Sequence, residues 1–224
     1  MTVAVLHARA VLFDLDGTLA DSAPGLAAAT NDMLQARGRP SLPLAALRPA
    51  VGSGARGMVG TAFGLLPDHP GFVDLRDEFL LRYEQRLMQE TRLFDEVHFL
   101  LDALEAAGLS WGIVTNKALR FADPMTRALG LVPRTTVLVG GDSTPHTKPH
   151  PAPLLEAARQ MSIAPESCIY VGDDARDMQA GRAAGMGTAV AAWGYVGHGA
   201  DISTWHADAV LSSPKALLQS LELA

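Results

Sequence analysis

Apolar positions along this chain follow two patterns, and each pattern predicts a different kind of element. Short, almost continuous apolar runs, the first of them Val11-Leu12-Phe13, are typical of strands in a parallel sheet that is covered on both faces. Segments with helical spacing lie between these runs, and several of them end at a glycine. The predicted strands are 11–13, 111–115, 136–139, 168–171, 188–192 and 209–211, and the helices that alternate with them are 97–107, 118–129, 151–161 and 177–184.

This alternation predicts an α/β fold with a parallel Rossmann-like sheet and helices on both faces. Residues 21–92 differ, because they have helical periodicity and no convincing strand; helices are predicted there at 24–36 and 68–88. Since this stretch directly follows the first strand, we expect an all-helical cap inserted at the carboxyl edge of the sheet, where open parallel sheets bind ligands. The predicted domains are a core, residues 1–20 and 93–224, and a helical cap, residues 21–92.

Composition and charge narrow the function classes. The chain has 224 residues, of which 48% are hydrophobic, so it can bury a substantial core. A net charge of −6 without any basic run argues against nucleic acid or an anionic membrane as a partner, and no apolar stretch approaches the roughly 18 residues that a membrane-spanning helix needs. No signal peptide is visible, so a cytoplasmic protein is expected. A monomer or a homodimer is expected, and the sequence does not choose between them. The single cysteine, Cys168, excludes an internal disulfide and is interpreted as a small buried hydrophobic residue.

The first predicted strand ends in two carboxylates, Asp14 and Asp16, followed by Gly17-Thr18. Because strand side chains alternate between faces, both acids are expected on the same side of the strand end. Two close negative charges repel each other, and Mg²⁺, which prefers oxygen ligands, would compensate them. A turn or a solvated strand end explains these two residues equally well when they are taken alone. An EF-hand loop fits poorly, because no glutamate closes it.

Three further segments place polar residues after predicted strands or in the loops that follow them. Thr115 and Asn116 end one strand, Lys148 lies in a proline-containing loop before a helix, and Gly172 to Asp177 follows another strand with acids at 173, 174 and 177. Each has a simpler interpretation: a helix cap for Thr115, a solvated surface residue for Lys148, and a favourable helix-dipole contact for Asp177. Their common placement nevertheless suits phosphoryl transfer, which needs a nucleophile, a metal ion and cationic groups around the phosphoryl oxygens.

The order of these motifs resembles the haloacid dehalogenase-like hydrolase superfamily, and nearly the whole chain resembles its phosphoglycolate-phosphatase-like branch, in which a helical cap follows the first strand. The resemblance implies that Asp14 is the nucleophile that forms an aspartyl-phosphate, and that Asp16 protonates the leaving alcohol and then activates water. It implies that Thr115 and Asn116 contact the phosphoryl group and that Lys148 neutralises charge. The implied Mg²⁺ ligands are Asp14, the backbone carbonyl of Asp16, Asp173 and, through water, Asp177.

Asp16 also favours an oxygen leaving group, and hence a phosphate ester as substrate. Dehalogenating relatives lack this second acid, because a halide needs no proton on leaving. In the cap, residues 51–57 are predicted to form a flexible loop that runs into a helix, where the Gly54 backbone and Arg56 would bind an anionic leaving group. A hinge between cap helices is the alternative interpretation. The segments 54–59 and 120–124 resemble a bacterial subgroup of phosphoglycolate phosphatases, some of which act on N-acetylmuramic acid 6-phosphate.

The predicted function is that of a Mg²⁺-dependent phosphatase acting on a small phosphorylated metabolite, with phosphoglycolate as the first choice. N-acetylmuramic acid 6-phosphate is the alternative ester. A phosphosugar mutase of the same superfamily is the alternative enzyme, and it would differ by releasing no inorganic phosphate. A non-catalytic binding module is disfavoured, because Asp14, Asp16, Lys148 and Asp173 are all present.

Overall fold

The computed structural model describes residues 5–196 and 201–223. The chain divides into two compact units, one formed by Met1–Ala20 with Leu93–Ala224 and the other by Asp21–Arg92. These ranges coincide with those predicted for the core and the cap. That the second unit serves as a cap over a site remains a prediction.

The first unit is built on a six-stranded parallel sheet, as predicted. The described strands are β1 (Ala10–Phe13), β2 (Ala20–Asp21), β3 (Arg92–Leu93), β4 (Ser110–Val114), β5 (Leu138–Val139), β6 (Cys168–Gly172), β7 (Gly187–Ala191) and β8 (Ala209–Leu211). The strand order in the sheet is β5-β4-β1-β6-β7-β8, so the first strand lies in the middle, and β2 and β3 form a separate two-stranded sheet.

The described helices are α1 (Ala23–Gln35), α2 (Leu44–Leu47), α3 (Gly54–Phe63), α4 (Phe72–Arg86), α5 (Val97–Ala106), α6 (Leu119–Ala128), α7 (Ala152–Met161), α8 (Ala175–Ala183) and α9 (Pro214–Ser220), with 3₁₀ segments at Arg48–Ser53, Pro165–Ser167 and Ile202–Trp205. Six of the described helices match the predicted ones with shifted ends, whereas α2, α3 and α9 correspond to none of the predicted helix ranges. No helix of the described ranges is long and apolar enough to cross a membrane.

Helices cover both faces of the sheet. Ala10 and Leu12 of β1 belong to a buried cluster that includes Leu154 of α7 and Ala180 of α8. Cys168 also lies in this cluster, as expected for a small buried hydrophobic residue. The alternate residues of β1, Val11 and Phe13, are completely buried as well. Because successive strand residues point to opposite faces, burial of both sets confirms the prediction of a sheet covered on both sides.

The second unit is a small helical bundle in which α1 packs against α3 and α4. Its core includes the fully buried Met33 and Met58 together with Phe79 and Tyr83 of α4, whose rings stack with centroids 6.1 Å apart. Arg86 of α4 forms an ion pair with Asp32 of α1. Apart from Asp21 and Arg92, which belong to β2 and β3, regular structure in this unit is helical in the residues that the structure describes.

The prediction of a flexible loop at 51–57 was wrong. The segment Arg48–Ser53 is a 3₁₀ helix, and α3 begins directly at Gly54. The physical reason is close packing between the two helices: a Cβ at Gly57 would overlap the carbonyl oxygen of Ala50, so glycine lets the turns approach each other. Arg56 therefore lies in the first turn of a helix, with an exposed side chain.

Candidate active site

Asp14 continues the ladder one residue beyond β1, because its backbone N–H donates to the carbonyl of Val171 at 2.9 Å. Its side chain is 13% exposed. The chain then turns at Gly17, which adopts a φ of +83°. A Cβ at this position would overlap the carboxylate of Asp173, so glycine serves both the left-handed turn and the close approach of two strand ends.

Lys148 connects the carboxylates at these strand ends. Its ammonium lies 3.0 Å from Asp14 Oδ1 and 2.7 Å from Asp177 Oδ1, and it donates a third hydrogen bond to the hydroxyl of Tyr170 at 2.7 Å. Only 2% of its side chain is exposed. Burial opposes the charge, but Asp14 and Asp177 together raise the pKa of Lys148 above its ordinary value. The ammonium is therefore held charged, in contrast to the alternative of a solvated surface lysine.

Asp14, Asp173 and Asp177 form a compact group in which one carboxylate oxygen of each lies within 4.8 Å of the others. Burial raises the pKa of Asp14 to about 6, although Lys148 opposes this effect. Burial and the neighbouring Asp14 and Asp177 carboxylates raise the pKa of Asp173 well above its usual value. These shifts reflect first the burial of the carboxylates and then the repulsion between them.

The donor set fits a divalent cation. The group has three carboxylates and one ammonium, which contacts two of them, so full ionisation leaves an excess of two negative charges, three minus one. Carboxylate oxygens are the ligands that hard divalent cations prefer. Asp173 is also oriented for this purpose, because Oδ2 accepts the Tyr195 N–H at 2.7 Å and Oδ1 accepts the Thr18 hydroxyl at 3.2 Å. These residues can hold a metal ion.

The side chain of Asp16 is not part of this group of three acids. Instead it forms an ion pair with Lys117, whose ammonium lies 3.1 Å from Oδ1 and 2.9 Å from Oδ2. The side chains are 9% and 17% exposed for Lys117 and Asp16. The two acids, which are close in sequence, thus have different partners: Asp14 contacts Lys148, and Asp16 contacts Lys117. Sequence reasoning missed Lys117, although its position two residues after Thr115 was a signal.

Thr115 and Asn116 lie beside these groups and organise the backbone. The hydroxyl of Thr115 accepts the Lys117 N–H at 3.1 Å. The side-chain amide of Asn116 donates to the Lys148 carbonyl at 3.0 Å and accepts the Lys148 N–H at 2.9 Å. Asn116 therefore orients the loop that carries Lys148. Whether these two residues also contact a phosphoryl group remains a prediction.

The start of α8 corrects the predicted helix 177–184, which in the structure begins at Ala175. Asp174 is the N-cap residue, and its carboxylate accepts the Arg176 N–H at 2.9 Å. Asp177 completes a capping box, because its Oδ2 accepts the Asp174 N–H at 3.0 Å while its Oδ1 faces Lys148. Asp177 thus combines the helix-terminal role with membership of the acid group, and Asp174 gains a structural role that the sequence did not assign.

Gly54 and Arg56 belong to the second unit, where they form the first turn of α3. That Gly54 and Arg56 contact a leaving group remains a prediction. Within the first unit, the structure brings Asp14, Lys148, Asp173 and Asp177 together and places Asp16 and Lys117 as a second pair. Such an arrangement offers a largely buried carboxylate beside a fixed cation, an acid group that can hold a metal ion and a separate carboxylate that can exchange a proton.

Comparisons with known proteins give a family and named relatives for the chain. The family model described as haloacid dehalogenase-like hydrolase matches residues 11–191. A phosphoglycolate phosphatase of Xylella fastidiosa strain 9a5c is 48% identical over 209 residues, covering 93% of this chain and 91% of the relative. An N-acetylmuramic acid 6-phosphate phosphatase of Pseudomonas aeruginosa is 43% identical, covering 98% of this chain and 97% of the relative.

Solved structures point to the same fold. The crystal structure of a predicted phosphoglycolate phosphatase from Haemophilus somnus 129pt has a TM-score of 0.83 and 27% sequence identity, covering 95% of this chain and 97% of that one. The similarity extends over both units, and the matched family region contains the motifs from Asp14 to Asp177. The chain therefore belongs to the haloacid dehalogenase-like hydrolase family.

Proposed function

We propose that this protein is a Mg²⁺-dependent phosphatase that hydrolyses a small phosphate monoester through an aspartyl-phosphate on Asp14, with phosphoglycolate as the favoured ester. The observation that carries the proposal is the contact of Asp14 with the buried ammonium of Lys148 beside Asp173 and Asp177. This cluster supports a carboxylate nucleophile and neutralises charge around it.

In the first half-reaction, an oxygen of Asp14 attacks phosphorus and the bond between phosphorus and the leaving oxygen breaks. The protonated carboxyl of Asp16 gives its proton to that oxygen, so an alcohol leaves rather than an alkoxide. Lys148 balances the negative charge on Asp14 and on the phosphoryl oxygens through its fixed position. Asp14, Asp173 and Asp177 would hold Mg²⁺, which when bound offsets the remaining negative charge.

In the second half-reaction, water attacks the phosphorus of the aspartyl-phosphate and the bond between phosphorus and the Asp14 oxygen breaks. Asp16, now ionised, takes a proton from that water. Inorganic phosphate leaves and both carboxyl groups return to their starting states. Asp16 is suited to act separately from Asp14, because it contacts Lys117 rather than Lys148.

Two esters are supported by the comparisons. Phosphoglycolate is favoured because a relative with that name is 48% identical over 93% of this chain. N-acetylmuramic acid 6-phosphate is the second candidate, because the relative named for that activity matches 98% of this chain at 43% identity. Both compounds are phosphate monoesters with a carboxylate, but the second is much larger.

Release of inorganic phosphate from both esters, measured with and without Mg²⁺, tests the proposal. We expect Mg²⁺-dependent release, with the Asp14→Asn variant slower by at least about 10³-fold because the nucleophile is lost. Asp102→Asn is the matched control, since that carboxylate is 68% exposed, and it should behave as the wild type. Substantial Mg²⁺-dependent release by Asp14→Asn would overturn the mechanism, and conversion to an isomeric sugar phosphate without phosphate release would indicate a mutase.

A further inference from the structure

Tyr170 carries a buried hydroxyl that the proposed mechanism does not use. The residue lies on β6, three positions before Asp173, and none of its surface is exposed. Because a buried hydroxyl without partners costs free energy, its contacts indicate what the side chain is placed to do. Those contacts lead to the ammonium of Lys148 and to the end of β4.

The two short hydrogen bonds of this hydroxyl have a defined direction. Its oxygen lies 2.7 Å from the carbonyl oxygen of Val114 and 2.7 Å from Lys148 Nζ. A carbonyl oxygen can only accept and an ammonium can only donate. The hydroxyl therefore donates its proton to Val114 and accepts a proton from Lys148, while Asp177 Oδ1, at 3.4 Å, is a more distant acceptor.

The Tyr170 side chain reaches across the central strand of the sheet. Tyr170 is paired with Leu12 of β1, whereas its hydroxyl bonds to Val114, the last residue of β4, on the other side of β1. The hydroxyl is thus fixed to two strands of the sheet. Lys148, by contrast, lies in the loop between β5 and α7 and extends a flexible four-carbon stem. Tyr170 therefore offers a fixed acceptor to a flexible side chain.

The Lys148 ammonium has three protons to donate, and Tyr170 is one of its three nearest acceptors. The Tyr170 hydroxyl and Asp177 Oδ1 are each 2.7 Å away, and Asp14 Oδ1 is 3.0 Å away. The carbonyl oxygen of Val114 follows at 3.2 Å. Among the three nearest acceptors, the hydroxyl is the neutral one and the other two are carboxylates of the group of three acids.

This neutral contact matters because the two carboxylates change during the proposed reaction. Asp14 becomes an aspartyl-phosphate and then a carboxylate again, and Asp177 would share its charge with Mg²⁺. The Tyr170 hydroxyl takes part in neither change, so it can accept the same hydrogen bond throughout the cycle. Small displacements of a charged group beside the reacting atoms lower the rate substantially, so a constant acceptor has a catalytic benefit.

We propose that Tyr170 is a positioning residue that holds the Lys148 ammonium beside Asp14 throughout the reaction; this inference rests on the proposed function. Tyr170 acts through Lys148 and not on the reacting atoms. Its hydroxyl should therefore affect the rate when the ammonium is present and have little effect when the ammonium is removed. A direct role in catalysis, or a role in packing alone, would not depend on Lys148 in this way.

The first test is a double-mutant cycle. The kcat and KM for Mg²⁺-dependent phosphate release are measured for the wild type, Tyr170→Phe, Lys148→Met and the double variant, with the better of the two proposed esters. We expect Tyr170→Phe to lower kcat about tenfold with KM changed less than about twofold, because a hydrogen bond to a charged group is lost. In the Lys148→Met background, the same change should lower kcat less than about twofold.

The matched control is Tyr83→Phe, because Tyr83 is also buried, with 2% exposure, and belongs to α4 in the second unit. Its kcat and KM should equal those of the wild type. If Lys148→Met has a lowered thermal midpoint, Lys148→Gln provides a second background without the ammonium. If Tyr170→Phe has one, the cycle is measured at a temperature at which every variant is fully folded.

The second test observes the ammonium itself in the metal-free protein. The chain has three lysines, Lys117, Lys148 and Lys215, so labelling lysine side chains with ¹⁵N gives few ammonium signals, and Lys148→Met identifies the one from Lys148. We expect Tyr170→Phe to shift this signal and to speed the exchange of its protons with water, and Tyr83→Phe to leave it unchanged.

Two results would overturn the inference. One is a loss of kcat from Tyr170→Phe that is as large without the ammonium as with it. The other is a Tyr170→Phe variant in which kcat and the Lys148 signal both equal those of the wild type. Failure of the proposed function is distinguishable, because the wild type would then release no phosphate from either ester, and the Lys148 signal would still confirm or contradict the hold of Tyr170 on the ammonium.

Discussion

Asp173 is a buried carboxylate whose surroundings suit a metal ion better than they suit the metal-free protein. Only 4% of the residue is exposed, and its neighbours include Asp14 and Asp177. Burial and these like charges raise its pKa well above the usual value. The hydrogen bonds from Tyr195 and Thr18 position the group but do not neutralise it. The Asp173 carboxylate is therefore expected to lower the stability of the metal-free protein and to contribute to binding of a metal ion.

We predict that Asp173→Asn stabilises the metal-free protein at neutral pH, because the amide carries no charge for burial and the neighbouring acids to oppose. The amide fits the same contacts, because its oxygen can accept the Tyr195 N–H and its NH₂ group can donate to the Thr18 hydroxyl. The variant should also lose the stabilisation that Mg²⁺ gives the wild type. Urea unfolding with and without Mg²⁺ measures both effects; lower stability with an intact Mg²⁺ response would contradict this assignment.

At the scale of elements, α8 links local helix chemistry to the site. Its capping box uses Asp174 as N-cap and Asp177 in the first turn, and the second of these acids also contacts Lys148. The hydrogen bonds at the start of α8 therefore orient Asp177, which belongs to the group of three acids. Arg176 strengthens the cap by pairing with both carboxylate oxygens of Asp174.

Asp174→Ala is predicted to destabilise the protein by about 1–2 kcal/mol, because the first turn loses its capping acceptor and Arg176 loses its partner. Asp174→Ser should recover most of this loss, since serine is also a good N-cap. Mg²⁺ binding should persist, because Asp177 keeps its bond to the backbone N–H of residue 174. Chemical denaturation and Mg²⁺ titration check these expectations. A serine variant as unstable as the alanine variant would show that the cap hydrogen bond is not the cause.

At the scale of the whole molecule, the acid group connects pH, metal binding and stability. The pKa of Asp14 is raised from 3.8 to about 6 in the folded metal-free protein. Its stabilising contribution is therefore complete below pH 3.8 and is lost as the pH rises through about 6, because the folded state then gives up a proton that it binds more tightly than the unfolded chain. Asp173 acts in the same direction.

Mg²⁺ offsets the repulsion that appears when Asp14 and Asp173 ionise. At a pH below the raised pKa of Asp14, protons compete with Mg²⁺ for the carboxylates. We predict that the rise in Tm caused by saturating Mg²⁺ is small near about pH 5 and grows steadily to about pH 7.5. Differential scanning fluorimetry with and without Mg²⁺ across this range measures the effect. Asp14→Asn should flatten the dependence, and a Mg²⁺ effect independent of pH in the wild type would contradict the prediction.

Much of the molecule was determined by the sequence alone. Continuous apolar runs, helical periodicity and terminal glycines predicted the parallel α/β sheet, because these patterns are set by neighbouring residues within each element. The strand ends likewise indicated Asp14, Lys148 and Asp173 as one group, since carboxyl ends of parallel strands share an edge. The error at 51–57 arose because Gly57 serves close helix packing rather than loop flexibility.

Only the tertiary structure decided which partner each acid takes. Asp16 and Lys117 are 101 residues apart in the chain, and they meet because β1 pairs with β4 in the register Phe13 to Ile113. A one-residue change of that register would turn side chains to the other face of the sheet, so no local pattern determines this contact. The sequence therefore determined the edge and its acids, whereas the tertiary structure assigned partners: strand register brings Lys117 to Asp16, and the loop held by Asn116 brings Lys148 to Asp14.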